Sequence, residues 1–329
     1  MDFVDYCTLA YKKLLDSDVK IEISDKSSIF ESFFNSISLK LSADELRKKY
    51  REGVYKTIDK ELGQYKQEVE MLRTLKEVKF YENSISVYSS FIIFWIIENK
   101  LKLNKEEIKA FTEAIYSGTI GYRLLDLHQD HNLFGGEIIV LGYRFINLYE
   151  ELLMKIFPGV NTFKIIKKNA AKYCEVEYVE KTNRWKQCPF EWEQVEILGN
   201  KAAPLFTIFE LIFKRKKLSA TQVKDLLAAF RGLAVCTQLN DDLNDVEEDL
   251  LNGFETLVMK GYYKKYGNKD ITIKKISEHL DQEKLEQFYN TQVELYSNAR
   301  NIFMQHNQHL LLLLMELQYY QFNNNIAIE

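Results

Sequence analysis

The stretch TQLNDDLNDVEEDLLNG, residues 237–253, carries Asp241, Asp242, Asp245, Glu247, Glu248 and Asp249 within nine positions. No Lys or Arg lies between Arg231 and Lys260, although the chain as a whole has a formal net charge of only -4 over 329 residues. Read as a helix, Gln238, Asp241, Asp242, Asp245 and Asp249 fall at steps of three and four and share one face. Leu239, Leu243, Val246 and Leu250 share the other. Like charges at this spacing repel by a few tenths of a kcal/mol per pair when exposed, and cost far more when buried. The usual relief is a cation, and the local sequence supplies none. Oxygen-only ligands with open geometry suit Mg²⁺, which keeps waters and takes phosphate oxygens as further ligands.

A second acidic pair lies upstream in YRLLDLHQD, residues 122–130. Asp126 and Asp130 are four apart and share a helical face. Two such helices facing each other would hold metal ions between them and bind a diphosphate in the gap. The ordinary fate of an acidic helical face is solvation, but solvated faces normally mix signs and the stretch at 237–253 does not. His128 and His131, beside the first pair, read as exposed helix histidines rather than as metal ligands. The stretch is not an EF-hand, because Gly253 comes too late and the alternating ligands are missing.

These carboxylates need helices to position them, and helix starts are plentiful. SADE (42–45), NKEE (104–107) and SATQ (219–222) have the capping-box form. CPFEWE (188–193) predicts a helix with Pro189 at its first position and acids behind it. Between the starts, apolar residues recur mostly at three and four, as in Leu226, Leu227, Phe230, Leu233 and Ala234. Only three prolines occur, Pro158, Pro189 and Pro204, against roughly 5% on average; a chain so poor in proline can run in long helices. Breaks are expected at Gly135–Gly136, at FPGVNT (157–162) and at KTNRWKQCP (181–189). They leave the acidic stretch on one long helix from about 220 to 250. No linker, low-complexity tract or fixed-period repeat is found. The expectation is one all-α domain over 1–329, a bundle of roughly a dozen helices.

Composition excludes other classes. Nothing is strongly basic, so no nucleic-acid partner is indicated. Cys7, Cys174, Cys188 and Cys236 form no CxxC pair and read as reduced thiols of a cytoplasmic protein. FIIFWII (91–97) and LLLLLM (310–315) are far short of the ~20 residues a bilayer requires, so no integral membrane segment is expected. The N-terminal MDFVDYCTLAYKK has acids where a signal peptide has bases. HLLLLLMELQYYQF (309–322) reads as a buried helix or part of a dimer interface.

QLNDDLND (238–245) resembles the second aspartate-rich motif, Q-x-x-D-D-x-x-D, of the trans-prenyl diphosphate synthases. Its continuation DVEEDLLNG is similar to the segment after the second motif in squalene and phytoene synthases. PFEWEQVEILGNKAAPLF (189–206) resembles the helix that carries Lys-Thr-Ala-x-Leu-Phe in prenyl synthases, and DLHQD (126–130) is similar to the first aspartate-rich motif in its D-x-x-x-D form. The resemblance spans roughly residues 115 to 265. It implies the isoprenoid synthase-like fold, helices around a central active-site cavity. It implies a prenyl diphosphate substrate and three Mg²⁺ ions. By the match, Lys201 contacts diphosphate, Asp126, Asp130, Asp241 and Asp245 act in catalysis, and Asp242 and Asp249 join them as metal ligands. Gln238, Arg123, Arg184 and Lys260 are further candidates for substrate contact. A cyclase-type triad fits the helix in two registers: Asp241, Asp245 and Asp249, or Asn240, Asn244 and Glu248. The first keeps Gln238 and Asp241 in the prenyl-synthase register.

The chain departs from the elongating enzymes. Leu127 stands where they usually have a second Asp. HNLFGG (131–136) replaces the Arg-Arg-Gly after their first motif, and no Gly-Gly-Lys-x-x-Arg occurs near the N-terminus. The departures favour a class I terpene synthase, which ionises one prenyl diphosphate and controls the cation. A prenyltransferase, joining two prenyl diphosphates or prenylating another acceptor, is the alternative; a non-catalytic partner subunit of the same fold is the second. An allylic cation needs an apolar, aromatic cavity, since ring faces stabilise cations by ~0.5–2 kcal/mol each. Tyr88, Phe91 and Trp95 share a helical face, although core packing is the plain reading of each. Related enzymes are often dimers, so a homodimer is an open expectation.

Overall fold

The computed structural model describes residues 2, 4–5, 7–8, 43–74, 85–86, 89–90, 92–97, 100–131, 136–158, 161–269, 271–312 and 315. Among them there are helices and no strands. The expectation of an all-α fold is met. The chain divides into two compact units, Met1–Gly159 and Val160–Glu329.

In the first unit α1 (Ala43–Glu61) and α2 (Lys66–Thr74) are joined by a 3-10 turn at Gly63–Tyr65, and α3 (Lys105–His131) is followed by α4 (Gly136–Ile156). The start of α3 is a capping box. Asn104 accepts from the Glu107 amide at 2.9 Å, and Glu107 accepts from the Asn104 amide at 2.8 Å. Such reciprocal pairing satisfies two of the amides a helix start leaves open. Among the described residues, α3 and α4 pack on each other more extensively than any other pair of helices. Buried Tyr116 of α3 meets Phe145 of α4 with ring centres 6.4 Å apart. This pairing fixes the C-terminal half of α3, where Asp126 sits.

The second unit contains α5 (Thr162–Thr182), a 3-10 segment (Trp192–Ala202), α6 (Ala203–Arg215), α7 (Ala220–Asn244), α8 (Val246–Leu251), α9 (Tyr262–Tyr266), α10 (Ile273–His279) and α11 (Gln282–Gln305). The capping box at Ser219–Gln222 is formed, with the side chain of each accepting from the other's amide. α7 is the central rod and packs against α11, the 3-10 segment and α6. Phe209 of α6 stacks on Phe230 of α7 at 4.0 Å, and Phe303 of α11 meets Phe230 edge-on at 5.5 Å. Leu239, with Val176, Val195, Leu198, Val235 and Phe288, forms the core beneath the acidic motif. Val246 and Leu250 belong to an adjoining core with Met259, Tyr262 and Ile276. The apolar face expected of residues 239–250 is therefore buried, apart from the partly buried Leu243.

Two expectations about elements need correction. The predicted helix from Pro189 begins at Trp192, and through Ala202 it is 3-10 rather than α. The predicted long helix over 220–250 is interrupted: α7 ends at Asn244, Asp245 leaves helical geometry at φ -103°, ψ 16°, and α8 resumes at Val246. Asn and Asp compete for the backbone with their own side chains, and five of them fall between 240 and 245. Trp95 is buried in the first unit; Tyr88 and Phe91 lie outside the described residues, as do most of residues 309–322. No helix among the described residues is long and apolar enough to cross a membrane.

Candidate active site

Lys201 ends up against the acidic motif because its segment approaches α7 closely. A Cβ on Gly199 would stand 2.8 Å from the carbonyl oxygen of Arg231 and 2.5 Å from that residue's side chain. Only glycine lets the 3-10 backbone come that near. Two residues on, Nζ of Lys201 lies 2.8 Å and 2.9 Å from the two carboxylate oxygens of Glu180 on α5. The two side chains are only 20% and 17% exposed. Burial works against the ammonium charge of Lys201, but the carboxylates of Glu180, Glu177 and Asp242 outweigh it and hold its pKa well above the ordinary lysine range.

The acidic face is split. Asp242 is buried, and its Oδ1 accepts from Nε2 of Gln238 at 2.7 Å. Asp241 and Asp245 are exposed, and Gln238 and Asp249 are half-buried. Burial pushes the Asp242 carboxyl up to about 7, against the opposing pull of Lys201 and the Gln238 hydrogen bond, with Glu180 and Asp241 adding to the rise. Burial and the neighbouring Asp242 push Asp249 up to about 8, again against Lys201. Burial is the main cause of both rises and the like charges add to it; a cation bound nearby would lower both carboxyls.

In the alternative register, Asn240 is already engaged and accepts from Nε2 of Gln292 on α11 at 3.0 Å. Asn244 and Glu248 are exposed.

The other predicted cations have defined partners. Nε of Arg184 donates to the Asn252 carbonyl at 2.6 Å, and its guanidinium lies 5.2 Å from the Phe254 ring centre. Nζ of Lys181 lies 4.6 Å from the same ring. Lys260 donates to the Phe190 carbonyl at 2.6 Å and pairs with Glu191. Glu255, also buried, clamps the intervening loops: it accepts from the amides of Cys188 at 3.0 Å, Gly261 at 2.8 Å and Tyr263 at 2.7 Å. Gly253 makes the loop crossing possible. Its φ is +92°, and a Cβ there would stand 2.6 Å from the Trp185 ring. Glu180, Asn183, Cys188, Phe190, Asp242 and Phe254 line a narrow cleft between these parts.

In the first unit, Asp126 forms an ion pair with Arg123 one turn earlier on α3. Asp130 is on the same helix, but its side chain lies outside the described residues. A cavity of about 450 Å³, lined in part by Tyr50, Val54, Lys105, Lys109 and Glu113, lies at the opposite end of α3. At 1.5 Å per residue that end is on the order of 20 Å from Asp126.

The structure sets Lys201 against Glu180 and Gln238 against Asp242; Glu177 and Glu180 of α5 are absent from the sequence-based candidates. The available signal was CEVEYVEK (174–181), where Glu177 and Glu180 are three apart on a helix that precedes the Lys201 segment. Among the described residues, no three His, Cys, Asp or Glu side chains form a metal-ligating group. Asp241 and Asp245 nonetheless offer exposed hard oxygen donors, the type that Mg²⁺ takes while keeping waters.

The fold is the all-α fold of an isoprenoid synthase. The heptaprenyl diphosphate synthase from Staphylococcus aureus is similar, with a TM-score of 0.57 and 16% identity, over 79% of this chain and 96% of that one. No protein-family model matches the sequence, and no curated protein matches it either.

Proposed function

We propose that the protein is a class I terpene synthase, a lyase that ionises one linear prenyl diphosphate, governs the fate of the carbocation and releases diphosphate. The observation that carries this reading is Lys201, bonded to Glu180 and within the electrostatic reach of Asp242 in the QLNDDLND motif. A diphosphate leaves with high negative charge, so departure requires positive charge placed in advance. Mg²⁺, when bound, neutralises that charge and orients the phosphate oxygens. Asp126, Asp130, Asp241 and Asp245 would hold the ions, with Asp249 the third member of the triad register; Asp242, which the resemblance also makes a ligand, is buried and bonded to Gln238 instead. Lys201 and Gln238 meet the diphosphate; Arg123, Arg184 and Lys260 are secondary contacts. Three ions and a homodimer follow from the resemblance, and a cytoplasmic location and a single domain over 1–329 from the unpaired cysteines and the absence of a linker sequence.

The fold neighbour's name favours a second reading, prenyltransfer, in which two prenyl diphosphates are joined or an acceptor is prenylated. Incubation with Mg²⁺ and geranyl, farnesyl or geranylgeranyl diphosphate, with and without isopentenyl diphosphate, separates the two. Diphosphate release from one substrate alone supports the synthase. A strict requirement for a second substrate supports transfer. Absence of release with any substrate and any divalent metal supports a non-catalytic subunit.

A further inference from the structure

Glu180 lies in neither aspartate-rich motif, yet both its carboxylate oxygens lie within 3 Å of Nζ of Lys201. That is the separation at which an ammonium meets a phosphate oxygen. Resting on the assignment of Lys201 to diphosphate, we propose that Glu180 is an internal counter-ion that occupies Lys201 until a diphosphate oxygen replaces it. Before binding, the pair keeps Lys201 charged although four-fifths of its side chain is shielded from water. On binding, the Glu180 carboxylate has to be released, and a buried carboxylate left alone would oppose the exchange. Lys181 provides for this. Its Nζ lies 3.9 Å from Glu180 and 3.9 Å from Glu177, close enough to take the released charge with a small movement. Glu180 touches no reacting atom and acts through Lys201, so it is a positioning residue. It also confers selectivity. A weakly charged anion competes poorly with a carboxylate already in place, whereas a diphosphate carries enough charge to displace it.

The test is calorimetric titration of inorganic pyrophosphate into the full chain at fixed Mg²⁺, with folding checked by circular dichroism. Glu180→Gln is expected to lower the pyrophosphate Kd roughly tenfold, because the ligand no longer competes with a charge-assisted pair. Glu180→Asp withdraws the carboxylate by one methylene and is expected to give a gain of roughly threefold; it serves alone should the glutamine variant not fold. Lys201→Met is expected to weaken binding at least tenfold and to cancel the gain when combined with Glu180→Gln. A folded Glu180 variant that binds pyrophosphate no more tightly than wild type overturns the counter-ion role, while the Lys201→Met loss leaves the functional reading intact. A Lys201→Met protein that binds like wild type overturns both.

Discussion

Asp241 and Asp242 are adjacent in the chain and face different surroundings: Asp241 is exposed, while Asp242 is 5% exposed and bonded to Gln238 at 2.7 Å. A helix turns about 100° per residue, enough to divide a pair of carboxylates between a solvent-side task and a buried one. The exposed member is the one the proposal gives to a metal ion. The buried member is destabilised as a carboxylate by its burial, which the charge of Lys201 offsets only in part.

That cost has a measurable sign. The folded Asp242 carboxyl is raised to about 7 from an ordinary 3.8. Folding therefore favours its protonated form, and stability is lost as pH rises from the unfolded value through the folded one. Asp242→Asn removes the penalty. In chelator-treated protein the variant should be more stable than wild type at pH 8, by on the order of 2–4 kcal/mol. The difference should vanish near pH 4. Urea unfolding at the two pH values measures it; equal stability at pH 8 would show that Asp242 carries no such strain.

Removing a metal-holding carboxylate should cost activity and not folding. Asp241→Ala and Asp126→Ala should each lower kcat roughly 10²–10³-fold, the scale of losing one stabiliser of developing charge. Their circular dichroism should match wild type, because Asp241 is exposed and Asp126 is half-buried with its ion pair to Arg123 inside its own helix. A fully active Asp126→Ala would remove DLHQD from the site.

Gly253→Ala should destabilise the second unit by roughly 2–4 kcal/mol, combining left-handed strain with overpacking against Trp185. The urea midpoint reports it. An unchanged midpoint would mean that the 183–188 loop does not depend on that crossing.

Glu255→Gln should loosen the loops that it clamps. One amide oxygen cannot replace two carboxylate oxygens serving three backbone donors, and each orphaned amide costs about 1–3 kcal/mol. Hydrogen exchange at Cys188, Gly261 and Tyr263 should accelerate while α7 stays protected. Uniform acceleration across the unit would instead mark a general loss of stability.

Much of this was readable from the sequence where the physics is local. Capping boxes at Asn104 and Ser219 act over three residues, so their chemistry and the helix starts coincide. The buried run Leu239, Val246 and Leu250 follows from periodicity alone. The break at Asp245 was missed because apolar spacing continues through it, while the Asn and Asp side chains that interrupt the helix add no periodic signal. Pro189 misled because a proline three residues ahead of a helix resembles one at its first turn. Glu180 was missed because its partner, Lys201, is 21 residues away: the spacing of Glu177 and Glu180 marks a shared helical face but does not name what packs against it. Likewise, the split between Asp241 and Asp242 depends on what packs against α7, not on α7 itself.

The most direct test is Mg²⁺-dependent release of diphosphate from farnesyl and geranylgeranyl diphosphate, followed for wild type, Asp241→Ala and Lys201→Met. Release that requires Mg²⁺ and falls at least 10²-fold in both variants is the predicted result. Release that survives chelation, or that proceeds at the wild-type rate without Asp241 and Lys201, would contradict it.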